Sequence, residues 1–526
     1  MNQYYAVLMD VVSIQKYVFS SNELRDNLGA SHIVNTLFDD LPIQALAETC
    51  HLDTEEVRKI IVQWKKNPDK ILLDDDPSAP FEVGVFSGGK ALILFREESK
   101  AKEFVKKFTK ELLLKAPGIH LAVAIMEGFM PNQNFPGQIA ELYARLMDNR
   151  NRYFPVTTLP AHSITATNYE NETISTHYNR DEGKYIDYVT AAKQAVIKDA
   201  YSELNREYAE LIKDYSFTTR VDQLGQIEGD SYIAIVHIDG NGMGNWFQQS
   251  SSLSDYRLRS INMEYITKQS FRKLISEIVD MIDKLSKVSD FNIKDNLPLR
   301  PIILGGDDLT FICHGKLSLF LTERFIHIWT QTANRELNNL PDQGFSACAG
   351  VAIAKTKYPF YRAYQIAEEL CVLAKECHRD KGGSWLDFFI ISGTKSGSVE
   401  SIREAEGKDH VYRMYFGPYI LDRPEHEKSI DRLLNGLEYF YNDSERWTNP
   451  YLKELRAAFY AGPEVLNTFL IDMAARGGRL PEHAMSAYHL RGYGDGKTPY
   501  PDMIDIMEFY PRVLLERRKS IAEDRN

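Results

Sequence analysis

The stretch Pro301-Ile-Ile-Leu-Gly-Gly-Asp-Asp-Leu-Thr-Phe-Ile312 places two glycines and two aspartates between two apolar runs. That pattern predicts a strand, a tight turn and a second strand, with adjacent carboxylates at the tip. Gly305 and Gly306 can adopt positive φ cheaply, which a tight hairpin favours, and their missing side chains leave the backbone open to a ligand. Upstream, Tyr232-Ile-Ala-Ile-Val-His-Ile238 reads as a second buried strand that ends at Asp239. Packed side by side, the two segments bring Asp239, Asp307 and Asp308 together.

Three carboxylates on rigid supports suit hard divalent cations with oxygen ligands, so Mg²⁺ or Mn²⁺ is expected. Two such ions held ~3.5–4 Å apart can activate a 3′-hydroxyl and neutralise a departing pyrophosphate. The expected catalytic residues are therefore Asp239, Asp307 and Asp308, and Gly240 joins them in the expected metal set. The segment Gly240-Asn-Gly242-Met-Gly244-Asn245 is a glycine-rich turn leading toward a helix, whose backbone N–H groups can cradle a triphosphate. Gly240, Asn241, Gly242, Gly305 and Gly306 are thus nucleotide-binding candidates. Lys375, with Arg379 one helical turn on, adds positive charge for the phosphates. The glycine run lacks the third glycine of a dinucleotide fingerprint, and Met243 stands at the fifth position of a calcium loop and Ser250 where its bidentate Glu belongs. His237 and His378 are expected to be structural.

One module occurs twice. The first copy has a strand ending at Asp10, a hairpin around Gly88-Gly89-Lys90-Ala91, a strand at Leu121–Met126 and a helix at Ile139–Leu146. The second repeats that order through Asp239, Gly305-Gly306-Asp307-Asp308, Cys348–Ile353 and Ile366–Lys375, with helices at about Asp255–Leu285 and Leu317–Leu337 and a strand at Leu386–Ile391. The fold class is α+β, with two ferredoxin-like βαββαβ sheets. Four blocks follow: a first module at 1–150, a connecting, partly helical segment at 151–228, a second module at 229–395 and an all-helical block at 396–526. In the connecting segment, Asn149–Ile174 reads as irregular and Tyr185–Asp214 as a charged helix. In the last block, Leu452, Leu455 and Phe459 share a helix face, and Gly462-Pro463 ends one helix and begins another. The first hairpin has no carboxylates, so that copy is expected to be non-catalytic.

At 526 residues, 44% of them hydrophobic and 26% charged, the composition is that of an ordinary globular protein, and no apolar run suggests a membrane span. The N-terminus lacks a basic region before its apolar residues, so a cytoplasmic location is expected. Five scattered cysteines form no C-x-x-C pair, so neither zinc nor a disulfide framework is expected. The formal charge of −12 argues against a free-standing, non-specific nucleic-acid binder but leaves room for a local basic groove.

Asp239-Gly240 with the following glycines, Gly305-Gly-Asp-Asp308, Ala349-Gly-Val-Ala352 and Ala367-Glu-Glu-Leu370 leading to Ala374-Lys375 resemble the large polymerase-like subunit of type III CRISPR effector complexes, which has paired palm domains. Asp10-Val-Val-Ser-Ile-Gln-Lys16 and Leu24-Arg-Asp-Asn-Leu-Gly-Ala-Ser31 are similar to that family's first palm. The resemblance implies conversion of ATP, or another nucleoside triphosphate, into cyclic oligoadenylate or a related second messenger for antiviral defence. It places Asp239, Asp307 and Asp308 at the metal-binding acids and Lys375 at the triphosphate, and it turns Ser31 and Arg25 toward a nucleotide. Guide or target RNA, other effector subunits and a second copy of the chain are the partners it suggests. Two departures stand out. The chain has no His-Asp dipeptide, so DNA cleavage by a histidine-aspartate nuclease domain is not expected, and Asn149–Gly229 has no cysteine for the family's zinc module. Two other readings stay open: a nucleotide- or RNA-binding scaffold without turnover, and a cyclic dinucleotide synthase.

Overall fold

The computed structural model describes residues 3–152, 162, 164–168, 173–180, 183–229, 231–337, 340, 341, 343–391, 393, 397–407 and 412–523. Among these, the architecture is α+β. Two compact units are built from interleaved segments: Met1–Tyr208 with Gly242–Gln269 and Ile302–Asp307, and Ala209–Asn241 with Ser270–Pro301 and Asp308–Asn526. Both units are discontinuous in sequence.

The first sheet contains β1 (Tyr4–Val12), β2 (Phe81–Ser87), β3 (Lys90–Phe95) and β4 (His120–Phe129), in the order β2-β3-β1-β4. β1 runs antiparallel to both β3 and β4. The helix Glu98–Lys115 buries Ala101, Phe104, Phe108 and Leu112, a spacing that keeps one face on the sheet. Phe38, Phe86, Phe95, Phe104 and Phe108 form a chain of aromatic contacts there. Each such side chain contributes about 1.5–3 kcal/mol through burial. Farther along the first unit, β5 (His177–Asn179) and β6 (Lys184–Ile186) form a separate hairpin, followed by helices Tyr188–Ala195 and Ile197–Ile212. The expected single charged helix from Tyr185 thus begins as a strand and breaks at Val196. The expected irregular segment is helical through Arg152, and Thr167 bridges Ile174; its residues 153–161, 163 and 169–172 lie outside the described ones.

The second sheet contains β7 (Tyr232–Gly240), β8 (Leu299–Gly305), β9 (Asp308–His314), β10 (Ala347–Lys355), β11 (Trp385–Ile390) and β12 (Tyr419–Ile420), in the order β12-β11-β10-β7-β9-β8. Its four strands β7 to β10 stand in the same relative order as β1 to β4. β7 is antiparallel to β9 and β10, while β11 is parallel to β10. The helix Phe360–Lys381 crosses β10 at Gly350, where a Cβ would stand 1.9 Å from the Ala367 carbonyl oxygen. Only glycine permits that approach.

Three sequence expectations need correction. The helix expected at Asp255–Leu285 is two, Leu253–Val279 and Ile282–Leu285, because at Met281 the backbone bonds Ile278 with a tighter, three-residue turn. The C-terminal block has helices on both sides of Gly462-Pro463, and Leu452, Leu455 and Phe459 are buried together, yet it is not all-helical. It supplies β12, which pairs with β11 through Trp385↔Ile420 and closes that edge. Finally, the repeat aligns differently at its hairpins: Asp10 stands opposite Lys90, and Asp239 opposite Asp308. Lys90 therefore matches Asp308, one residue away from the alignment that superposes the two glycine pairs. No helix among the described residues is long and apolar enough to cross a membrane.

Candidate metal centre and nucleotide site

Strand register builds the site. Asp239, the penultimate residue of β7, is the cross-strand partner of Asp308, the first residue of β9, and Asp307 precedes Asp308 in the turn. One carboxylate oxygen from each of Asp239, Asp307 and Asp308 lies within 4.8 Å of the others, and all three residues are half-buried. These are hard oxygen donors at a spacing that divalent cations can bridge, so the residues fit the Mg²⁺ or Mn²⁺ expected from the sequence.

The turn differs in detail from expectation. Gly306 has φ of 59°, in the left-handed region, whereas Gly305 does not, so the positive-φ requirement falls on Gly306 alone. A Cβ at either position would meet nothing within 4 Å, which leaves open space beside the acids. Thr267 Oγ1 donates to the Gly306 carbonyl oxygen at 2.6 Å and braces the turn.

The helix Phe360–Lys381 looks onto the same corner. Tyr364, Glu368, Cys371 and Lys375 are spaced four, three and four residues apart, which puts them on one face. Lys375 Nζ forms a direct ion pair with Asp239 Oδ2; the two side chains are 31% and 29% exposed. Burial works against the Lys375 charge, but Asp239 outweighs it and raises the ammonium's pKa. Arg379, one turn farther, is 68% exposed and pairs with Glu376 at 3.7 Å, so the structure does not bring it into the acid cluster.

Gly240 ends β7, and Gly242 has φ of 71° ahead of the short helix Met243–Gln248. Asn241 is anchored, its backbone N–H donating to the Ser346 carbonyl oxygen and Nδ2 to Ser346 Oγ, each at 2.9 Å. What this turn offers a ligand is backbone rather than the Asn241 side chain. His237 is structural as expected: it lies inside the sheet with Nδ1 3.0 Å from Thr310 Oγ1, and burial pushes its pKa down to about 4 against the pull of Asp239. His378 Nδ1 is 2.8 Å from the Gly383 carbonyl oxygen.

Ser31 and Arg25 have partners of their own. Buried Ser31 donates its hydroxyl to the Ile302 carbonyl oxygen. Arg25 lies 3.8 Å from Asp26 and lines a cavity of about 280 Å³ with Asp26, Lys184, Tyr185 and Gln194, among others; none of the three acids lines it. In the first sheet, burial raises the Asp10 carboxyl pKa while Lys90 and Arg150 pull it back. A protein cation thus stands where the second sheet has Asp308. Sequence reading missed Thr267 and Ser346, whose contacts span tens of residues, and Tyr364 and Glu368, which the helical spacing back from Lys375 would have found.

The sheet thus carries paired acids on a hairpin beside a third on the neighbouring strand. Residues 232–382 match the family model described as Cas10/Cmr2, second palm domain. Among solved structures, the chain is similar to Csm1 in T. onnurineus, at 12% identity and a TM-score of 0.50 over 97% of this chain and 70% of that one. It is also similar to a Csm1–Csm4 cassette in complex with one ATP (11% identity, TM-score 0.47, 97% and 70% coverage) and to one in complex with cA3 (12%, 0.45, 97% and 70%). At 12% identity the likeness to Csm1 concerns the fold alone. No curated protein matches the chain.

Proposed function

We propose that this protein is a metal-dependent nucleotidyltransferase that joins ATP into cyclic oligoadenylate, as a subunit of a type III CRISPR defence complex in the cytoplasm. The observation that carries this reading is the convergence of Asp239, Asp307 and Asp308 inside the segment that matches the second palm domain of Cas10/Cmr2. Both sheets are read as ferredoxin-like palms, the first within 1–150 and the second within 229–395, with 151–228 connecting them and 396–526 completing the chain.

The three acids, with the Gly240 carbonyl, would hold a pair of Mg²⁺ or Mn²⁺ ions. Bound there, the ions would supply Lewis acidity for a 3′-hydroxyl and charge neutralisation for the leaving group. The chain's own residues do the positioning. Gly305 and Gly306 leave the turn clear for a nucleotide, the backbone of Gly240–Gly244 faces the phosphates, and Lys375 is the nearby cation for the triphosphate. In the bond-making step the 3′-oxygen attacks the α-phosphorus, the bond to the β-phosphate oxygen breaks, pyrophosphate leaves and the hydroxyl proton passes to water. The first sheet holds Lys90 opposite Asp10 and takes no part in this chemistry.

Incubation of the purified chain with ATP and Mg²⁺ or Mn²⁺, with and without guide and target RNA, should release pyrophosphate and yield cyclic products by mass spectrometry. The double variant Asp307→Ala with Asp308→Ala should abolish both. Product from that variant would remove these acids from the mechanism, and nucleotide binding without turnover under every condition would leave a scaffold.

A further inference from the structure

We propose that Lys375 is a resident cation that excludes metal from Asp239 until a triphosphate draws it away, so that nucleotide and metal load cooperatively. The inference rests on the metal site proposed above and concerns its regulation.

Three observations support it. The Lys375 ammonium sits directly on Asp239 Oδ2, and Asp239 supplies an oxygen to the three-acid cluster. A dication approaching that oxygen meets the positive charge of the ammonium already seated on it. Next, Lys375 is held at its base, while its side chain remains 31% exposed. Cys371 and Ala374 lie in a buried cluster with Cys348, Trp385 and Ile420, and Gly350 lets the helix backbone lock onto β10. The four-carbon stem can pivot the ammonium between Asp239 and a phosphate while its Cα stays in place. Third, Arg379 is turned to solvent and paired with Glu376, so it does not share this task.

A ligand that removes an obstacle to a second ligand is coupled to it by equal factors in both directions. Mn²⁺ binding to the full chain, followed by electron paramagnetic resonance, should therefore be weak alone and about tenfold or more tighter with a non-hydrolysable ATP analogue, within the usual range of coupling. Lys375→Met, which keeps the stem and removes the charge, should bind Mn²⁺ tightly without the analogue and lose most of the coupling. Lys375→Arg, with its charge retained, should keep the coupling, and thermal melts of each variant show that it is folded. Unchanged Mn²⁺ affinity and unchanged coupling in Lys375→Met would overturn the proposal. Asp308→Asn separates the two failures: if it weakens Mn²⁺ binding while Lys375→Met changes nothing, the metal site stands and the exclusion falls. If Asp308→Asn leaves Mn²⁺ binding intact, the metal site itself is wrong and the exclusion falls with it.

Discussion

Gly350→Ala adds one methyl group at the point where the helix Phe360–Lys381 rests on β10. The new Cβ would stand 1.9 Å from the Ala367 carbonyl oxygen, 2.6 Å from the Cys371 amide nitrogen and 2.8 Å from Leu370 Cβ. The first two are backbone atoms in mid-helix, so no side-chain rotation relieves the clash. To reach an ordinary contact of 3.4 Å the helix must retreat by 1.5 Å, the difference 3.4 − 1.9. Such a shift loosens Ala367, Leu370, Cys371 and Ala374 from the core they share with the sheet. Overpacking of this kind costs about 1–3 kcal/mol. At about 2–4 °C per kcal/mol, the melting temperature should fall by several degrees. Because the same helix carries Lys375, the variant should also weaken nucleotide binding. Gly305→Ala is the control: its Cβ meets nothing and its φ is ordinary, so the melt should be unchanged whatever happens to the ligand. Calorimetry of the two variants beside the parent chain decides the matter. A Gly350→Ala protein that melts with the parent and binds nucleotide equally well would refute the claim that this glycine sets the helix.

Two further perturbations test the packing of each unit. Arg257 is fully buried and bonds Glu82, the Gly84 carbonyl at 3.1 Å and the Lys70 carbonyl at 2.8 Å. Arg257→Met leaves Glu82 buried without its cation and should cost about 3–5 kcal/mol in urea unfolding, while the double variant with Glu82→Leu recovers much of the loss; additive effects would show that the pair is not coupled. In the second unit, half-buried Asp502 accepts from the Tyr419 hydroxyl at 2.6 Å and from the Phe416 N–H at 2.8 Å, and the desolvation of its carboxyl pushes its pKa up from 3.8 to about 6 despite these bonds and Arg403. The fold therefore holds the proton more tightly than the unfolded chain does. The stability it contributes is fully present below about pH 4 and is lost as pH rises through about 6. Urea midpoints between pH 4 and 7 should fall more steeply for the parent than for Asp502→Asn, and parallel slopes would contradict the assignment.

What could be read from the chain was what depends on neighbours in sequence. The apolar runs of β7, β8 and β9 and the position of Asp239 at a strand end were legible because strand pattern and turn chemistry are local. The spacing from Tyr364 to Lys375 marks a helix face equally well. Illegible features all depend on register or on distant contacts. The paired glycines of the two hairpins invite superposition, yet the first turn uses Gly88 and Gly89 and the second Gly306 and Asp307, so Lys90 answers to Asp308. The bond from the Ser31 hydroxyl to the Ile302 carbonyl spans far too much chain for any local pattern to announce it. Tyr419 and Ile420 carry no strand signal of their own and become one only because the exposed edge of β11 accepts them.

Thr267 holds the Gly306 carbonyl from outside the hairpin, which has a consequence for ion choice. A bend pinned in this way keeps its neighbouring acids near one spacing instead of letting an arriving ion gather them. Magnesium, with a compact octahedral oxygen shell at about 2.0–2.1 Å, suits such a cradle, whereas calcium asks for longer bonds of about 2.3–2.6 Å and up to eight donors. On the proposed metal site, calcium should bind in place of magnesium or manganese without supporting pyrophosphate release from ATP, and loosening the bend through Thr267→Val should narrow that difference between the ions in the same assay.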